Sequence, residues 1–276
     1  MMQSNASIRA LASALGLWLP LATLLAVTPA AAQSLDDIVA QNGCPDCDLR
    51  LRELRGLEIT GGNFDETILR EADMKEVVIV ESSFREADFR RAEVERAKLH
   101  YGDFTEAAMR SVDLEKATLI GAKFFKADLR DADLNEASLT GADFTQADMR
   151  NASMIRCDAS NAIFHGAKMD QVDLERTNLT GADFSEARLK YSDLDRVFAR
   201  GANFKDADLT GVRLSSADLT DADLSGADLS GALLRRTRLA GANLSGVSGL
   251  TQERIIGACG DDKTVLPYGI TLEPCT

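Results

Sequence analysis

The sequence predicts an all-β solenoid whose chain turns every five residues, and three periodicities predict it. First, every fifth position from Leu49 to Leu244 gives forty residues, of which 38 are Leu, Phe, Met, Ile or Val; only Ala159 and Ala199 depart. Second, a small residue usually stands two places earlier, as at Ala122, Ala127, Ala132, Ala137, Ala142 and Ala147, often followed by Asp or Asn. Third, Phe64, Phe84, Phe104, Phe124, Phe144, Phe164, Phe184 and Phe204 recur at intervals of twenty. A helix drifts at 3.6 residues per turn and a plain strand alternates at two, so neither holds a period of five. If each five-residue unit is one side, four sides close a coil and the phenylalanines stack in one core column.

Taken in order, residues 1–32 read as a secretory signal peptide. They carry one charge, Arg9, then the apolar run Leu11–Val27 and the sequence Thr28-Pro29-Ala30-Ala31-Ala32. A basic start, an apolar middle and an Ala-x-Ala end are the marks of an exported chain cleaved near Ala32. The alternative is an uncleaved anchor, because the apolar run is close to the shortest that spans a bilayer. No cysteine follows the cleavage site, which argues against a lipoprotein, and no later segment is apolar enough to span. The expected location is periplasmic, or secreted or lumenal. The mature chain has 30 basic and 44 acidic side chains, a net charge of −14, and no tryptophan once Trp18 is removed.

Residues 33–48 form an N-terminal cap. Ser34-Leu35-Asp36-Asp37 has the form of a helix start with a carboxylate three residues after the cap, and Gly43 is placed to end that helix. Residues 49–247 are the repeats, with the first coil expected to be irregular because Arg52 and Leu57 stand where alanine is usual. Gly121, Gly141, Gly181 and Gly201 precede the phenylalanine column, where positive φ costs glycine little. The phase fails after Val247. Thr251-Gln252-Glu253-Arg254 opens a second expected helix, running to Ala258 and stopped by Gly260, and the tail to Thr276 shows no repeat phase. Residues 248–276 are therefore the C-terminal cap and tail, since open strand edges need lids at both ends.

Gly141-Ala142-Asp143-Phe144 and its Ala-Asp-Leu-x-x neighbours resemble the pentapeptide repeat proteins over most of the chain. The resemblance implies a right-handed quadrilateral parallel β-helix, with handedness inherited from the family. Forty units make about ten coils, or about 48 Å of stacked strands. Some members are thought to imitate duplex DNA and bind DNA gyrase, conferring quinolone resistance. That acidic-mimic function is the alternative here, and the signal peptide weighs against it.

Five cysteines remain in that frame. Cys157 occupies an inward small-residue slot and reads as a buried free thiol. Cys44 and Cys47 lie at one end and Cys259 and Cys275 at the other. Disulfide Cα atoms lie within about 7 Å, so the rod excludes cross-end pairs and leaves Cys44–Cys47 and Cys259–Cys275. Cys44-Pro45-Asp46-Cys47 also admits a redox or zinc half-site, with no second metal-like pair to support it.

Outward residues fall into columns too. Arg70, Arg90, Arg110, Arg130 and Arg150 follow core positions on successive coils and would hold an anionic protein or a polyanionic envelope glycan along about 19 Å. The competing reading is a solvated face balanced by Asp88, Asp128 and Asp148. The ladder stops at Asp170. A second side carries Asp73, Glu93, Asp113, Asp133, Asp173 and Asp193, with a basic margin of Arg96, Lys116, Arg156, Arg176 and Arg196. A third side, with Val78, Val80, Thr118, Ile120, Ser138, Thr140, Asn178 and Thr180, is nearly neutral and suited to protein contact.

Catalysis has little support: His100 and His165 lie just over three coils apart, and no nucleophile elbow or phosphate-binding loop occurs. The expected function is a non-enzymatic structural or interaction module binding a protein or anionic envelope component along one face. A homodimer is admitted. No cofactor, metal or nucleic acid is expected.

Overall fold

The structure, a computed structural model, describes residues 34–275, so the signal-peptide reading of residues 1–32 lies outside the described residues. The chain opens with helix α1, Leu35–Ala40. Ser34 Oγ accepts the Asp37 N–H at 3.2 Å and the Asp37 carboxylate accepts the Ser34 N–H at 3.1 Å, which satisfies two of the helix's orphan donors. Ile38 is fully buried, so the helix lays its apolar side on the end of the core. At Gly43 (φ +133°) an added Cβ would stand 2.0 Å from the Asn63 carbonyl oxygen, so only glycine lets the chain enter the first coil.

From Gly43↔Asn63 to Asp228↔Ser248 every pairing is parallel and joins residues twenty apart. The pairs are single bridges between turns. The exceptions in this stretch are strands β1, Glu58–Thr60, and β2, Val78–Val80, paired in the same register. The first coil keeps this register despite Arg52 and Leu57: Leu57 is buried, and Glu53 pairs with Asp73. The expected irregularity is absent because pairing is carried by backbone, while the corner needs only that its side chain fold in.

Why five residues make one unit follows from accounting for five N–H groups. Around Phe144, the Asp143 N–H donates back to Ala122 O at 2.9 Å, and Phe144 N–H donates forward to Ile163 O at 2.7 Å. Gln146 N–H also donates forward, to His165 O at 2.9 Å, and Ala147 N–H closes the turn onto Phe144 O at 3.0 Å. The fifth, Thr145 N–H, has no backbone acceptor; the Asp143 carboxylate takes it at 2.9 Å. The same bond recurs from Asp48 to Asn243 wherever Asp or Asn precedes the core residue. At three of the units that lack it, the preceding coil supplies the oxygen: Asp65 serves Arg85 N–H, Asn135 serves Ile155 and Asp195 serves Ser215. Much of the chain's acidity is thus a means of completing backbone hydrogen bonds.

Each unit also turns through the left-handed region two residues after its core position. Glycine occupies some of these corners, but thirty described residues other than glycine have positive φ, nearly all at such corners, between 51° and 61°. Each costs about 1–2 kcal/mol in a free L-residue, which the stacked hydrogen bonds on either side over-determine.

The interior is a filled column. The eight phenylalanines at twenty-residue spacing are at most 1% exposed, and neighbouring rings stack with centroids 4.6–5.1 Å apart. Phe89 meets Phe84 and Phe104 edge-on. Where the small inward slot holds a hydroxyl, it usually donates to the carbonyl 23 residues earlier: Thr67 to Cys44 at 2.6 Å, Ser192 to Met169 at 2.7 Å, Thr237 to Leu214 at 2.8 Å; Ser82 instead donates to Val80 O at 2.9 Å. Cys157 makes the same bond to Leu134 O at 2.8 Å and is a buried free thiol; burial pushes it up to about 12.

The C-terminal end departs from the sequence expectation. The helix expected over 251–258 is one 3-10 turn, Gln252–Arg254. Ile255 and Ala258 are needed inward as the floor of a further coil, and a longer helix would carry them off that floor. Nor is the tail without pairing. Arg238 pairs with Cys259 and Asn243 with Val265, and strand β3, Cys259–Gly260, takes β4, Glu273–Pro274, as the last parallel partner. Cys44 and Cys47 stand at disulfide geometry with Cα atoms 5.5 Å apart, and Cys259 and Cys275 at 4.8 Å. Among the described residues no helix is long and apolar enough to cross a membrane.

Candidate binding face

Arg70, Arg90, Arg110, Arg130 and Arg150 each follow a buried residue (Leu69, Phe89, Met109, Leu129, Met149), so the pleat turns all five outward on one side. Arg50, after Leu49, belongs to the same column and extends it by one coil, bonded to Asp48 at 2.5 Å. The period alone would have shown it.

The counter-charges are distributed unevenly. Arg130 has Asp128 at 2.5 Å and Arg150 has Asp148 at 2.7 Å, each the residue two places earlier. Residue 68 is isoleucine, so Arg70 reaches up to Asp88 at 2.7 Å, and Arg90 uses the same carboxylate at 2.5 Å. Partial burial works against the Asp88 charge, but hydrogen bonds from Arg90 and Arg70 hold its carboxyl at about 2. Residue 108 is alanine, and Arg110 turns sideways to Asp131 at 3.0 Å. Arg70 Nε is buried without a hydrogen-bond partner.

Between these side chains lies a recess of about 440 Å³ lined by Arg70, Glu71, Arg90, Arg91, Arg110 and Ser111. Its four guanidinium groups have three counter-charges: Glu71, 3.3 Å from Arg91, the Asp88 shared by Arg70 and Arg90, and Asp131 beside Arg110. A second recess of about 410 Å³ adjoins it through Arg110 and runs past Arg130, Asp131, Arg150, Asn151 and Asp170 to Gln171. Beyond, Lys190 resumes the basic column after Asp170, and Tyr191 lies over Gly211 with 66% exposure.

The acidic side is cross-braced. Lys75 bonds Glu93 at 2.8 Å and Glu95 at 3.3 Å, Arg55 bonds Asp73 at 2.7 Å, and Arg196 bonds Glu175 at 2.6 Å. Asp113 is pushed up by partial burial and then by Glu95 and Asp133 beside it. Among the described residues no group of carboxylate, thiol or imidazole side chains is arranged to hold a metal. On the neutral side the named residues are half-buried, except Thr180, which is exposed. Phe198, missed in the sequence because it is out of core phase, stands there 56% exposed. His100 and His165 are half-buried on different sides, His165 hydrogen-bonded to Ser185 at 2.9 Å.

A family model for the pentapeptide repeat region matches residues 127–204, and one for pentapeptide repeats matches 87–131, 103–141 and 217–248. The chain is 30% identical to HetL, a pentapeptide repeat protein involved in heterocyst differentiation regulation from the cyanobacterium Nostoc sp. strain PCC 7120, over 75% of this chain and 86% of that one (TM-score 0.40). The chain belongs to the pentapeptide repeat proteins. As a pentapeptide repeat protein it is a right-handed β-helical rod, in a family typically made of protein-interaction modules and generally non-enzymatic. A thylakoid-lumen pentapeptide repeat protein of Arabidopsis thaliana is 30% identical over 42% of this chain and 70% of its own (TM-score 0.20). QnrB1, a plasmid-mediated fluoroquinolone resistance protein, is 18% identical over 76% of this chain and 94% of its own (TM-score 0.34). Among curated proteins nothing matches.

Proposed function

We propose that this pentapeptide repeat protein is an exported, non-enzymatic rod of about ten four-sided coils that binds an anionic partner lengthwise on its arginine side. One observation carries the reading: at Arg70, Arg90, Arg91 and Arg110 the basic side chains outnumber their counter-charges around an open recess, in a chain of net charge −13. Elsewhere on the same side each arginine has its own aspartate. A solvated, balanced face would have an acid at position 108, where this chain has alanine. Oxidised Cys44–Cys47 and Cys259–Cys275 pairs suit the periplasm or another oxidising compartment and would pin the two end coils.

The DNA-mimic alternative is weaker on the same grounds. Its negative surface would be interrupted by the arginine column, and many of its carboxylates are engaged by backbone N–H groups. The test is in-cell cross-linking from the envelope with Arg90, Arg110 and Arg130 changed together to Glu. The variant stays folded, with an unfolding midpoint lowered because Asp88 and Asp128 lose their arginines, and loses the captured partner. Unchanged capture would remove the arginine side as the site.

A further inference from the structure

The geometry points to an acidic polysaccharide, one carboxylate per sugar ring, as the occupant of the trough between Arg70 and Tyr191. This inference rests on the arginine side being the binding face and goes further by naming the ligand's chemistry. Three features favour a glycan over a protein. The two adjoining recesses are lined by charged, amide and hydroxyl side chains without an apolar residue, whereas protein interfaces bury an apolar centre. The corner column beside the arginines holds the charged Glu71, Arg91 and Asp131 and, between and beyond them, Ser111, Asn151 and Gln171, neutral groups able to exchange hydrogen bonds with ring hydroxyls, and then the exposed face of Tyr191. Third, the guanidinium groups recur once per coil, and stacked core rings put that height at 4.6–5.1 Å.

The third feature bears on register. A chain of uronic-acid rings lying along the rod advances by close to one coil per ring, and because successive rings are turned about the chain axis, a carboxylate returns to the arginine side every second or third coil and pairs there with a guanidinium through two parallel N–H donors. An acidic peptide strand presents carboxylates on one face only every second residue, about 6.7 Å apart, and falls out of step within two coils. The strongest station is the first recess, where Arg70 Nε lacks a partner and Arg70 and Arg90 share Asp88. A sugar carboxylate there would supply the second counter-charge that Arg70 and Arg90 lack. Tyr191, flat over Gly211, would receive a ring face at the far end.

The experiment titrates the purified protein with oligogalacturonates of two to ten residues by calorimetry, with poly-glutamate and neutral chito-oligosaccharides as controls. Affinity should rise with length over the five coils that carry arginine, pause at Asp170, and rise once more at about seven rings, where Tyr191 is reached. Arg90→Gln combined with Arg110→Gln should weaken binding at least tenfold while the circular-dichroism spectrum at the assay temperature stays that of the folded parent. Tyr191→Ala should weaken the seven-ring ligand several-fold and leave the four-ring ligand unaffected. Poly-glutamate binding as tightly, affinity independent of length, or indifference to the double arginine change would each overturn the glycan. If cross-linking captures a protein through the arginine side while galacturonate fails to bind, the binding face stands and this inference falls.

Discussion

Changing Phe124 to Ala removes one ring from the middle of the stacked column. Phe124 is fully buried, with Phe104 at 5.0 Å and 8° on one side and Phe144 at 4.7 Å and 2° on the other. Burial of such a side chain is worth about 1.5–3 kcal/mol, and each stacked pair adds about 0.5–1.5 kcal/mol. With two pairs lost, the expectation falls in the upper part of the 3–5 kcal/mol observed for Phe→Ala in packed cores. The cavity cannot collapse easily, because the backbone of each flanking residue is tied to the next coil, Phe104 N–H to Lys123 O and Phe144 N–H to Ile163 O, both at 2.7 Å. Urea unfolding followed by circular dichroism measures the loss, with the m-value reporting whether the rod still unfolds as one unit. Phe125 is the control: it is the next residue, half-exposed, with Lys126 Nζ 4.9 Å from its ring centre. Its change to Ala should cost under about 1 kcal/mol. Equal losses at 124 and 125, or a loss under about 1 kcal/mol at 124, would refute the account of the core.

Two further outcomes follow from the hydrogen-bond accounting. Asp143→Ala leaves Thr145 N–H without its acceptor and should cost about 1 kcal/mol, whereas Asp143→Asn keeps the oxygen and should fall within about 0.5 kcal/mol of the parent; equal effects in thermal melts would show that charge, not the bond, matters. Asp88 contributes stability because its carboxyl is held below the usual value, to about 2. That contribution is complete above about pH 4 and is lost as the pH falls toward 2. Asp88→Asn should therefore lower stability at pH 7 by about 1–2 kcal/mol, discounted for two half-exposed arginines, and the gap should close in denaturant titrations between pH 4 and 2.

The five- and twenty-residue periods are legible in the sequence because each is imposed locally. A core residue, a small residue two places earlier and a turn recur along the chain, so spacing alone predicts a solenoid. The arginine column is legible for the same reason, down to Arg50. Its pairing is not, because an arginine side chain is long enough to reach its own coil, the next coil or the corner. Arg90 takes the first course, Arg70 the second and Arg110 the third.

What the sequence by itself determined is therefore periodic: the core columns, the outward columns and the acidic composition. Only the tertiary structure decided what the aspartates do, since the acceptor for Thr145 N–H is identified only once the other four donors of the unit are matched to neighbouring coils. It also decided the C-terminal cap. Helical spacing is a short-range signal, and over 251–258 it yielded to the exposed floor of the last regular coil, which needed Ile255 and Ala258 inward and β4 along its edge. Lastly, stacking set Arg70 and Arg90 one coil apart across a single carboxylate, with Arg110 drawn aside, and so left positive charge open to a partner on one part of an acidic rod.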